Sequence, residues 1–118
     1  MRIAEYQKEA RKTSIRLGHD RITPLTPNQE YAAMGLANEA GEFLGVVKKA
    51  KRGDYGDCPC LSETFLRKLR GELGDVAWYL AECCSVFGFE LGGVMADNLR
   101  KLQDRQERGV IQGDGDDR

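Results

Sequence analysis

Two pairs of acids in this chain share one spacing. Glu39-Ala40-Gly41-Glu42 lies inside LANEAGEFLGVVKKAKRG, and Glu72-Leu73-Gly74-Asp75 lies inside LRGELGDVAWYLAECC. Residues three apart on a helix share a face. Two such helices packed side by side would aim all of these carboxylates at one point. Carboxylates that close cannot all stay ionised without a counter-charge. A hard divalent cation with oxygen ligands would supply it: Mg²⁺, with Mn²⁺ as a substitute.

The surroundings of the acids point the same way. At about 100° per residue, Glu72 falls in the middle of an apolar arc of Phe65, Leu69, Val76, Tyr79, Leu80 and Cys83. Asp75 lies at the edge of that arc. Glu39 borders a stripe of Leu36, Ala40, Phe43, Val47 and Ala50, and Glu42 sits just beyond it. A charge inside an apolar stripe is costly unless paired or metal-bound. Either motif alone is an ordinary charged-surface pattern. Together, each against an apolar stripe, they make Glu39, Glu42, Glu72 and Asp75 a candidate metal site.

The elements that must position these acids are helical. At 118 residues the chain is one domain with room for a modest core. Helices are expected over residues 2–17, 27–51, 63–87 and 90–108. Thr26 is the expected N-cap of the second, with Pro27 at its first position. Ser62 can cap the third, and Gly88 closes it. No run alternates with period two. The fold class is therefore all-α, a four-helix bundle-like domain over residues 1–108. The Gly/Asp-rich tail over residues 109–118 reads as solvated and mobile, or as a flap that orders with substrate.

Composition excludes other classes. A net charge of −1 argues against a general nucleic-acid binder. No segment has the apolar length of a membrane span, and MRIAEYQKEARK has no signal-peptide core. The expectation is a soluble, cytoplasmic protein. Cys58-Pro59-Cys60 and Cys83-Cys84 lack the CxxC spacing of zinc sites, so the cysteines read as structural. The single histidine, His19, is in an expected loop. A di-iron carboxylate bundle, which wants Glu-x-x-His on two helices, is thereby disfavoured.

The order of ExxE, a basic helix end, a loop and ExxD resembles the MazG-type nucleotide pyrophosphohydrolases of the all-α NTP pyrophosphatase superfamily. The resemblance runs over about residues 31–108 and is carried by NEAGE and GELGDVAWY. The ending RGVIQGDGDDR resembles a short single-domain subset. The resemblance implies hydrolysis of a nucleoside triphosphate to the monophosphate and pyrophosphate. It implies that Glu39, Glu42, Glu72 and Asp75 hold Mg²⁺. One carboxylate, directly or through the metal, would deliver the water, with Glu39 the candidate. Tyr79, one turn after Asp75, would stack on the base. Asn98 and Lys101 match an Asn-x-x-Lys near the phosphates, with Lys101 stabilising charge on the leaving group, and Arg105 continues that face. Lys48, Lys51 and Arg52 are further phosphate candidates, although cations also favour a helix C-terminus. Relatives of this size imply a homo-oligomer, a dimer or a tetramer, with a nucleoside triphosphate as substrate. The competing reading is a non-catalytic helical assembly module that uses both motifs structurally.

Overall fold

The structure, a computed structural model, describes residues 25–118. The helix expected over residues 2–17 and the loop holding His19 lie outside them. Helix α1 spans Pro27–Lys51. Its start is a capping box: Thr26 Oγ1 accepts from the Gln29 N–H at 3.2 Å, and Gln29 Oε1 accepts from the Thr26 N–H at 2.9 Å. Two donors that a helix start leaves orphaned are thereby satisfied. Lys48, Lys49 and Lys51 fill the last turn, where exposed carbonyls favour cations.

The following loop contains a short 3-10 turn, Pro59–Leu61, which the turn-rich composition does not announce. Helix α2 spans Glu63–Phe87, and Ser62 Oγ accepts from the Phe65 N–H at 3.2 Å. Gly88, at φ 76°, takes the left-handed backbone that ends α2. Helix α3 spans Leu91–Glu107. Among the described residues the architecture is all-α, without a strand. No single helix there is long and apolar enough to cross a membrane.

α1 and α2 form an antiparallel pair. At one end Gln29 Nε2 donates to the Val86 carbonyl at 3.0 Å. At the other, the Tyr55 and Phe65 rings lie 5.2 Å apart, with the Lys68 ammonium over Tyr55. Among the described residues the buried apolar side chains are Ala32 and Val46 from α1 and Phe65 and Cys84 from α2. Ala32, Glu39 and Val46 are two turns apart in succession, so they share the inward face of α1. Leu36, Phe43 and Ala50 are half-buried, as the expected stripe requires, but Ala40 and Val47 are exposed. The apolar face is rotated from the expected one. Glu39 therefore stands within it and not at its border.

α3 turns away from α2 by 104°, and among the described helices its main packing partner is α2. Val94, Met95, Leu99 and Leu102 remain exposed on it. The tail folds back onto the end of α3. Arg118 Nε donates to the Val110 carbonyl at 3.3 Å and Arg118 Nη2 to the Ile111 carbonyl at 3.2 Å. Arg108 Nη2 donates to the Arg118 carbonyl at 2.9 Å. Residues 111–117 are exposed, as a solvated tail requires, while guanidinium donors meet main-chain carbonyls at its two ends.

With so few buried apolar side chains, each one matters. Phe65→Ala is expected to cost about 3–5 kcal/mol, read as a lower midpoint in chemical denaturation followed by circular dichroism.

Candidate metal centre

The antiparallel pair puts Glu39 of α1 opposite Glu72 and Asp75 of α2. Each offers a carboxylate oxygen, and these oxygens lie within 4.8 Å of one another. Glu39 and Glu72 are half-buried and Asp75 is exposed. Glu72 follows Phe65 by two turns on the inward face of α2, so one register seats the core ring and aims the acid. The donors are all hard oxygens from separate side chains, the set that suits Mg²⁺ or Mn²⁺.

The Glu39 carboxyl is pushed above the usual carboxylate range. Loss of water contact is the largest cause, followed by the charges of Glu42, Asp75 and Glu72; a hydrogen bond from Asn38 opposes them. Crowded acids on a partly dry face would be relieved by a cation at their centre. Glu42 stands apart from the trio. It is exposed, and its Oε1 accepts from Asn38 Nδ2 at 3.1 Å. Gly41 and Gly74, inside the two motifs, face open space: a methyl on either would meet nothing within 4 Å.

Tyr79 adjoins the acids. It lines a cavity of about 240 Å³ with Tyr31, Met34, Gly35 and Asn38. Its ring lies 6.4 Å from that of Tyr31, and the Trp78 ring meets it edge-on at 4.9 Å. The Tyr79 phenol is pushed above the usual tyrosine range. The hydrogen-bonding Tyr31 phenol is the first cause, then loss of water contact, then the charges of Tyr31, Glu39 and Asp75. Gly35 permits this arrangement, because a methyl at that position would overlap the Tyr79 ring. Sequence reasoning missed Tyr31, Gly35 and Asn38. Their signal was present: they recur at i, i+4 and i+7, the spacing of one helix face. Trp78 is 58% exposed.

The expected cations are distributed elsewhere. Lys48 and Lys51 are exposed at the end of α1. Lys51 is about 18 Å along the axis from Glu39 at 1.5 Å rise per residue. Arg52 is engaged with Asp54, its Nε and Nη2 reaching the carboxylate at 2.9 and 2.7 Å. Asn98 and Lys101 do share a site, an open cavity of about 360 Å³ lined also by Val94 and Asp97. None of the acids of α1 and α2 lines it. Arg105 is buried and pairs with Asp116 of the tail. The structure thus unites Glu39, Glu72, Asp75 and Tyr79 on one surface, and Asn98 with Lys101 on another.

The family model for the MazG nucleotide pyrophosphohydrolase domain matches residues 28–110. The chain belongs to this MazG family. The match takes in both acid motifs, the Tyr79 cavity and the whole of α3, and leaves residues 1–27 and 111–118 outside. Gene 37 protein of Mycobacterium phage L5 is similar, 40% identical over 121 residues that span the full length of both chains. No solved structure matches. The MazG assignment agrees with the hard-oxygen character of the acid trio, since a divalent metal is typical of the family.

The raised Glu39 carboxyl has a consequence for stability. The native fold holds this proton more tightly than the unfolded chain does. Stability from this group is present when the carboxyl is protonated and falls as pH rises through the window just above the ordinary carboxylate value. Glu39→Gln is therefore expected to raise the melting temperature at neutral pH without metal, and to flatten the pH dependence in that window. Thermal melts across acidic to neutral pH check both.

Proposed function

We propose that this protein is a Mg²⁺-dependent nucleoside triphosphate pyrophosphohydrolase. It would convert an NTP or dNTP and water to the nucleoside monophosphate and pyrophosphate, as a control on the nucleotide pool. One observation carries the reading: the carboxylates of Glu39, Glu72 and Asp75 converge within 4.8 Å beside an aromatic cavity, inside a MazG domain.

Glu39, Glu72 and Asp75 would hold the cation, and Glu42 would join them as the fourth acid of the paired motifs. Bound there, a divalent cation neutralises the triphosphate and polarises its α-phosphorus. The residues supply the rest. Glu39, with its carboxyl raised, accepts the proton of the attacking water at a carboxylate oxygen. Tyr79 offers its ring face to the base, and Tyr31, Met34 and Gly35 shape the cavity around it. Lys101 and Asn98 balance charge on the departing pyrophosphate. Lys48, Lys51 and Arg52 would act at longer range, as a positive approach surface.

The two surfaces meet only if chains assemble. Leu44, Leu73, Trp78, Met95 and Leu99 are each more than half exposed, which supports a homo-oligomer built through all three helices. In it, the Asn98–Lys101 face of one copy would approach the acids of another.

Cleavage position tests the chemistry. With Mg²⁺ and a dNTP in ¹⁸O-labelled water, the label should enter the nucleoside monophosphate. Label in pyrophosphate, or release of orthophosphate with a diphosphate, would sink the reading. Glu72→Gln should abolish turnover while helix content survives; wild-type activity in that variant would remove the acid trio from the mechanism. A non-catalytic assembly module would instead show no gain in melting temperature from Mg²⁺ with a nucleotide.

Assembly has its own measurement. Light scattering at micromolar concentration should report a dimer or tetramer. A fully active monomer would overturn the shared-site arrangement.

A further inference from the structure

Lys101 is a flexible group in an exposed setting, and the tail is what holds it. Its Nζ donates to Asp116 Oδ1 at 2.8 Å. The same oxygen accepts from Arg105 Nη2 at 3.0 Å. Arg105 Nη2 also donates to the Asp116 main-chain carbonyl. The Arg105 guanidinium is itself buried, at 6% exposure of its side chain, whereas that of Lys101 is 39% exposed. Arg118 and Arg108 tie the flanking tail to main-chain carbonyls on either side of the turn. The Asp116 side chain is itself 77% exposed, so buried Arg105, bonded to both its carboxylate and its main-chain carbonyl, is the group that sets the carboxylate beside the Lys101 ammonium.

We propose that Asp116 is a positioning residue: anchored by buried Arg105, it fixes the Lys101 ammonium for a phosphate oxygen bound in the cavity of Val94, Asp97, Asn98 and Lys101. The proposal deepens the pyrophosphohydrolase reading and rests on it for the role of Lys101.

The chemistry of lysine makes such a partner useful. Its ammonium sits on a four-carbon stem with roughly 2 kcal/mol of rotamer entropy. A free lysine would lose that freedom each time a phosphate bound. Held by Asp116, it has lost much of it beforehand, and a group fixed in advance contributes more to a rate than one that must be ordered. An ammonium also has three donors. The bond to Asp116 uses one and leaves two for phosphate oxygens. Asp116 is well suited to this role, because Lys101 first and Arg105 second hold its carboxyl below the usual range. Asp97, the other acid of the cavity, is paired with Arg100 on its own helix and does not compete for Lys101.

The test uses the full chain, with Asp116→Asn, Lys101→Ala and the double variant assayed on a nucleoside triphosphate with Mg²⁺. Asp116→Asn keeps the main-chain carbonyl that Arg105 binds, so the tail stays anchored. It should lower kcat on the order of ten-fold, the scale on which a lost fixed position costs rate. The double variant should be no slower than Lys101→Ala alone. Asp116→Glu should recover part of the loss. In parallel, NMR order parameters at Lys101 Cε should fall in Asp116→Asn.

Unchanged kcat in Asp116→Asn with unchanged Lys101 order overturns the proposal, and leaves the pyrophosphohydrolase reading standing if Glu72→Gln is dead. A lower KM with undiminished kcat also overturns it, since Asp116 would then be a competitor of phosphate. Further loss in the double variant over Lys101→Ala overturns it in favour of a purely structural tail. Full activity of Lys101→Ala removes the assigned role of Lys101 itself. That failure belongs to the proposed function and is distinguished by the Lys101 order parameters.

Discussion

Mutual repulsion among the carboxylates of Glu39, Glu72 and Asp75 is the constraint that the rest of the molecule has to meet. Acids this close resist being brought together, and more so on a face that has lost water. The antiparallel pair of α1 and α2 holds them by bracketing. Gln29 grips the Val86 carbonyl on one side. Tyr55 packs on Phe65 on the other. The capping box at Thr26 and the side-chain cap at Ser62 fix where each helix begins, and so fix which residues face inward. Ala32 and Val46 flank Glu39 on its own face. The acids are thus in the middle of a clamp whose firm contacts are at its two ends.

Much of this frame is legible in the sequence because it is local. Thr26-Pro27 with Gln29 writes a helix start, and Gly88 writes a stop. The spacing of Glu72 from Phe65 and Tyr79 on α2 is clear, since its apolar residues fall on one arc. α1 is harder. Alanines, valines and leucines surround it on most sides, so Ala40 and Val47 look as good a core as Ala32 and Val46. Only the partner helix decides, and the partner is a tertiary fact. The same limit hid the cavity of Tyr31, Gly35 and Asn38, which exists because Tyr79 crosses from the other helix. For Arg105 the face was legible and the burial was not. It does lie two turns beyond Asn98, but the chain reversal that brings Asp116 over it depends on contacts between residues far apart in sequence.

Division of labour between the helices follows from the turn at Gly88. α1 and α2 carry the acids and the aromatic cavity; α3 carries the amide and ammonium groups and, through Arg105, the tail. A bend of 104° keeps these sets apart in the protomer. The MazG family match takes in the acids, the aromatic cavity, and the amide and ammonium of Asn98 and Lys101.

Gly41 and Gly74 add something the static picture hides. Each sits beside an acid in mid-helix, and among the described residues nothing occupies the space its missing methyl would fill. Glycine costs a helix about 0.5–1 kcal/mol against alanine. The deficit in both helices falls on the turn that bears the carboxylates. Those turns are the ones whose backbone has the least intrinsic preference for helix. The firm contacts of the pair thus lie at its two ends, and the backbone least committed to helix lies under the acids themselves.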